Sequence, residues 1–65
     1  MNSGTIRKNI TIGDQVEVVQ KQHQQTGELT VGFVEQILTN SPNHPHGIKV
    51  KLTNGIVGRV KNIIK

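Results

Sequence analysis

Sixty-five residues allow one small domain, and a chain of this size buries only a modest core. It contains no cysteine, so neither a disulfide framework nor a thiolate zinc site can supplement that core, and nothing points to an oxidising compartment. Eight Lys and Arg against four Asp and Glu give a formal charge of +4. That balance suits a polyanionic partner such as nucleic acid or the ribosome, and it equally serves to keep a small domain in solution.

Residues 1–9 are polar, include Gly4 and show no period, so they are expected to form a flexible N-terminal tail, with the domain proper spanning 10–65. The opening MNSGTIRKNITIG has no apolar run of signal-peptide character, and no later segment reaches membrane-spanning length. A soluble cytoplasmic protein with no membrane partner is the expectation. In DQVEVVQK, Val16 and Val18 fall on one face and Glu17 on the other, which predicts a first strand. The polar QHQQTG then turns the chain. ELTVGFVEQIL, rich in β-branched residues, predicts a second strand bent at Gly32. After the loop NSPNHPHG, IKVKL alternates strictly, Asn54-Gly55 signals a turn, and IVGRVKNII predicts a fourth strand that ends in a short helical or irregular tail.

The chain repeats itself. Val31-Gly32-Phe33-Val34-Glu35-Gln36-Ile37 and Val57-Gly58-Arg59-Val60-Lys61-Asn62-Ile63 share V-G-x-V-x-x-I, and Gly13-x-x-Val16-x-Val18 parallels Gly47-x-x-Val50-x-Leu52. Two similar hairpins follow, each with a glycine where a strand must bend or be closely approached. The second hairpin can be given a register. A two-residue Asn54-Gly55 turn would turn Arg59 toward the core beside Val50, where an unpaired guanidinium is costly. A three-residue Thr53-Asn54-Gly55 loop instead pairs Leu52 with Ile56, Val50 with Gly58 and Ile48 with Val60, an apolar inner face. Lys49, Lys51, Val57 and Arg59 then share the outer face, with Lys49 opposite Arg59. Like charges so placed are unfavourable unless an anion, water or a nearby carboxylate relieves them.

Short antiparallel strands, glycine turns and one small core predict an all-β, partly open SH3-like barrel of four to five strands. Gly13-Asp14-x-Val16-x-Val18, Gly27 and Gly32-x-Val34-x-x-Ile37 resemble the KOW type of that barrel found in ribosomal proteins and transcription elongation factors. A more extensive resemblance rests on Thr26-Gly27, Leu29-Thr30, the stretch His44-Pro45-His46-Gly47-Ile48-Lys49-Val50, and Gly55 followed by Val57-Gly58-Arg59-Val60. On these residues the chain resembles the uncharacterised YwbE family of small bacterial and archaeal proteins, a resemblance that implies a family without implying a task. The family's first turn resembles K-x-D-Q-R-T-G-K-L-T, whereas Gln25 and Glu28 stand here at its basic positions. The expected nucleic-acid contacts therefore shift to Lys49, Lys51, Arg59 and Lys61.

His44 and His46 could reach one metal, but a typical zinc site needs three or four ligands, and His23 would have to come from the other hairpin. The simpler reading makes them loop residues, with Pro42 and Pro45 restricting the backbone, Gly47 redirecting it and an imidazole bonding a backbone without ladder partners. Ser41 near His44 lacks an orienting acid and an oxyanion loop, so no catalytic residue is assigned. Phe33, the single aromatic residue, is expected in the core as its bulky filler. The expected function is a non-enzymatic binding module, without metal, cofactor or small-molecule substrate, that contacts RNA or a ribonucleoprotein surface. The alternative is a protein-interaction module using a strand edge or the loop around His44, His46 and Gly47.

Overall fold

The computed structural model describes residues 2–64 as one all-β unit. Its strands are β1 (Asn2–Ser3), β2 (Gln15–Val19), β3 (Thr30–Ile37), β4 (Lys49–Leu52) and β5 (Val57–Ile64), with short 3-10 turns at Arg7–Asn9 and Lys21–His23. The sheet runs β1-β5-β2-β3-β4, and β4 also pairs with β5. Strands β2 to β5 thus close into a four-stranded antiparallel barrel of the small SH3-like kind, which gives each of them neighbours on both sides.

The core follows from alternation along the strands, interrupted in β5 by one extra residue. Val16 and Val18 of β2, Val34 of β3, Val50 and Leu52 of β4, and Val60 and Ile63 of β5 point inward, joined by Ile10 and Ile48. All of these are aliphatic, each contributing about 1.5–3 kcal/mol on full burial. Phe33 is not among them: its ring stands 51% exposed on the outer face. The expectation that it fills the core is corrected by parity, because Gly32 approaches Leu52 and Val34 is buried, so the residue between them must face out.

The internal repeat is structural. In β3 and β4, Val34 faces Leu52, Gln36 faces Lys51 and Ile37 faces Val50, so Glu35 is the extra residue of a bulge. In β5 and β2, Val60 faces Val18, Asn62 faces Glu17 and Ile63 faces Val16, so Lys61 is the extra residue. These are the same positions of the two repeats. The glycines are equally reciprocal: Gly32 of the first hairpin packs against Leu52 of the second, and Gly58 of the second against Val18 of the first. A Cβ at Gly32 would sit 2.7 Å from Leu52 Cδ1, and one at Gly58 2.9 Å from Val18 Cγ2. Gly32 is therefore a close-packing position, while the irregularity of β3 lies at the Glu35 bulge.

The second hairpin takes the three-residue register. Lys49 faces Arg59, Val50 faces Gly58 and Lys51 faces Val57. The Leu52 amide donates to the Ile56 carbonyl at 2.7 Å, and Gly55 has φ +88, the conformation that such a loop asks of glycine. Strand β5 continues to Ile64 without a helical tail, because β2 and β1 both pair with its C-terminal half.

The boundary drawn at Ile10 is not the edge of the hydrogen-bonded unit. Among the described residues, Asn2 and Ser3 pair with Ile63 and Asn62. The Gly4 carbonyl accepts from Ile48 N–H at 2.8 Å, the Thr5 carbonyl from His44 N–H at 3.0 Å, and Arg7 N–H donates to the Pro42 carbonyl at 2.9 Å. The segment docks mainly through backbone groups, which leave no periodic trace in its side chains, and Arg7 Nε adds a bond to the Thr39 carbonyl at 2.9 Å. No helix among the described residues is long and apolar enough to cross a membrane.

Candidate functional site

The pseudo-twofold barrel presents two equivalent outer faces of opposite character. The second hairpin shows Lys49, Lys51, Val57 and Arg59, whereas the corresponding positions of the first are Gln15, Glu17, Val31 and Phe33. One scaffold therefore carries a basic face and an apolar face with a carboxylate.

On the basic face the four expected cations divide. Lys49 stands opposite Arg59, and Lys61 projects from the β5 bulge next along the strand. Lys51 is drawn toward Glu35, with Nζ and Oε1 3.5 Å apart, an exposed pair of small energetic weight. No carboxylate among the described residues forms an ion pair with Lys49, Arg59 or Lys61. Their charge is left for a ligand or for solvent.

Barrel closure adds a second wall. Val19, at the end of β2, pairs with Arg59, so the turn that follows β2 folds beside β5. Two clefts result, one on each side of Arg59. The first, about 620 Å³, is lined by Val19, Gln24, Gly27, His46, Arg59 and Lys61. The second, about 460 Å³, has Lys21, Gln22, Gln24, Lys49, Val57 and Arg59 in its walls. The sequence pattern pointed away from this turn because positions 25 and 28 are not basic, yet Lys21, Gln22 and Gln24 face the site from other positions. The β2–β5 pairing that brings them there becomes readable only once Gly58 is matched to Gly32 through the repeat.

The loop of His44, His46 and Gly47 borders the same site, with His46 in the lining of the first cleft. The Gly47 carbonyl accepts from Arg59 Nη1 at 3.1 Å, and the His46 carbonyl accepts from Lys61 Nζ at 3.2 Å. The loop thus aims both cations with backbone oxygens. His44 shapes it from within: its Nδ1 accepts from the His46 N–H at 3.2 Å, and its carbonyl accepts from Gly47 N–H at 3.0 Å. The two imidazoles lie with centroids 5.8 Å apart, tilted by 50°. Partial burial, then the Arg59 charge and the neighbouring His46, hold the His44 pKa below its ordinary 6.5. A neutral ring is what the Nδ1 acceptor role requires. Among the described residues, no three His, Asp or Glu side chains group closely enough to hold a metal ion.

Two comparisons with known proteins bear on identity. A family described as "Uncharacterized conserved protein (DUF2196)" matches residues 3–63. The "Uncharacterized protein YwbE" of Bacillus subtilis (strain 168) is 50% identical over 62 residues, covering 95% of each chain. No solved structure matches the chain. With nearly its whole length inside the family match, and half of the aligned residues shared with YwbE, the chain belongs to the DUF2196 family, the YwbE family to which its HPHGIKV and GxVGRV stretches point.

Proposed function

We propose that the protein is a non-enzymatic RNA-binding module whose basic clefts grip the phosphate backbone of RNA or of a ribonucleoprotein surface. The observation that carries this reading is the cluster of Lys49, Arg59 and Lys61, which form no ion pair with a carboxylate among the described residues, with Arg59 and Lys61 hydrogen-bonded to the Gly47 and His46 carbonyls. Fixed cations lose little freedom when they meet a phosphate, whereas solvating lysines are mobile. Glu35 offsets Lys51 in part, so Lys51 contributes less than the other three. The resemblance to KOW barrels of ribosomal and elongation proteins supports the same reading, and a cytoplasmic address goes with it.

Binding of this kind depends on salt. If three or four cations neutralise phosphates of a single strand, log K falls with log salt at a slope of about −2 to −3, or about 20- to 50-fold between 50 and 200 mM. Fluorescence anisotropy with a labelled RNA octamer measures that slope. Arg59→Gln and Lys49→Gln should each make it shallower by about 0.7, and a salt-independent affinity would sink the proposal.

A protein partner is the second reading. What favours it is the other face, where Val31 and Phe33 are 48% and 51% exposed on adjacent outward positions of β3. The edge of β1, which pairs only with β5 among the described residues, and the loop around His44, His46 and Gly47 are the other surfaces on which a partner could dock.

A further inference from the structure

The two clefts differ from a plain basic patch in having unlike walls. One wall is cationic, with Lys49, Arg59 and Lys61 carried by β4 and β5. The other is the turn after β2, which brings the carboxamides of Gln22 and Gln24 to face them, and Gln24 lines both clefts. Gln22 is held in place: its Nε2 donates to Gln20 Oε1 at 3.0 Å, and Gln20 Nε2 donates to Thr30 Oγ1 at 3.0 Å. That relay occupies one N–H of Gln22 and leaves its amide oxygen and second N–H to face a ligand.

Arg59 stands between the clefts, and its neighbours are spaced along the sheet. Lys61 lies two residues away on β5, a separation of at most about 6–7 Å, since the bulge at Lys61 departs from the regular strand rise. Lys49 faces Arg59 across the ladder. A row of cations at this spacing suits successive phosphates of an extended single strand. A duplex keeps its bases stacked and paired, whereas a single strand can place an unstacked base in a cleft of about 620 or 460 Å³. Carboxamides recognise adenine by pairing with its exocyclic amine and a ring nitrogen together, and in a single strand those edges are open.

Resting on the RNA-binding reading, we propose that the ligand is a single strand laid across Arg59, phosphates toward Lys61, Arg59 and Lys49 and one base in each cleft, where Gln22 and Gln24 select adenine. Lys21, which also lines the second cleft, receives a further phosphate. The cations set affinity and the glutamines set preference, two roles that separate by experiment.

The test uses the full chain and four labelled probes at 50 mM salt, namely octamers of A, of U and of C, and a blunt RNA hairpin with the same number of phosphates. The expected result is oligo(A) bound about five- to tenfold more tightly than oligo(U), and the hairpin more weakly than either. In Gln22→Ala/Gln24→Ala the adenine preference should vanish while the salt slope stays as in the wild type, because no charge has been removed. Both substitutions lie on exposed positions of a turn, and circular dichroism checks the fold. Equal or tighter binding of the hairpin, or an adenine preference that survives the double substitution, overturns the single-strand assignment while leaving RNA binding intact. Salt-insensitive binding, or none to any probe, overturns the RNA reading itself and this inference with it.

Discussion

Gly47→Ala is the substitution that most directly joins the fold to the site. Gly47 has φ +104, outside the range a side chain readily adopts, and a methyl there would fall on the Val60 carbonyl oxygen. Strain of this kind costs about 1–3 kcal/mol. Relieving the overlap means parting the Gly47–Ile48 segment from Val60, whose amide donates to Ile48 at 2.9 Å, a bond contributing about 1 kcal/mol. The expected loss is about 2–4 kcal/mol, against a stability of about 3–10 kcal/mol for a chain of this length. Gly55→Ala is the matched control. Its φ is +88, but a Cβ there meets nothing within 4 Å, so strain alone acts and the cost stays near the lower end of that strain range. The chain has no Trp or Tyr, so urea unfolding is followed by circular dichroism. The reasoning fails if Gly47→Ala lowers the urea midpoint no further than Gly55→Ala, since the difference isolates the close approach to Val60. A folded Gly47→Ala variant should also bind RNA more weakly, because Arg59 is oriented by the carbonyl that moves.

Three further outcomes follow from named contacts. Gly32→Ala should destabilise by about 1–3 kcal/mol through overlap with Leu52 Cδ1, and the same change in a Leu52→Ala background should cost clearly less, as a double-mutant cycle by urea unfolding reads out. Phe33→Ser should cost about 1 kcal/mol or less in the same assay, well below the ~3–5 kcal/mol of truncating a core aromatic, since half the ring is already in solvent. His44 should titrate below 6.5 by NMR of its ring protons. Because its pKa is lower folded than unfolded, the unfolded chain takes up the proton first. Its contribution is full above pH 6.5 and declines as pH falls toward the folded value, and His44→Gln should flatten that decline in urea midpoints measured from pH 7 to 5.

What was legible in the sequence, and what was not, divides by the range of the interaction. The β4–β5 hairpin could be read to the residue because its register was decided locally, by the cost of an inward Arg59 and the glycine of a short loop. Membership of the barrel and the repeat were equally visible, through alternating valines and paired V-G-x-V segments. The docking of residues 2–9 was hidden because Gly4, Thr5 and Arg7 bind through their backbone groups, with the Arg7 guanidinium adding one bond to the Thr39 carbonyl, and such bonds leave no hydrophobic period. Phe33 was misplaced by weighing residue type above parity, although Gly32 and Val34 on either side already fixed its direction. The glutamine wall of the site depends on β2 meeting β5 across most of the chain, a pairing that composition and local turns do not specify.

The measurement that bears most directly on the central claim is an amide-resolved NMR titration of the full chain with a single-stranded RNA octamer, at low and near-physiological salt. RNA binding at the clefts predicts saturable shifts at Val19, Gln22, Gln24, Lys49, Arg59 and Lys61, weakened by salt and spreading little to β3. No shift at low salt, or shifts gathered around Val31 and Phe33 instead, would contradict it and turn attention to a protein partner on the opposite face.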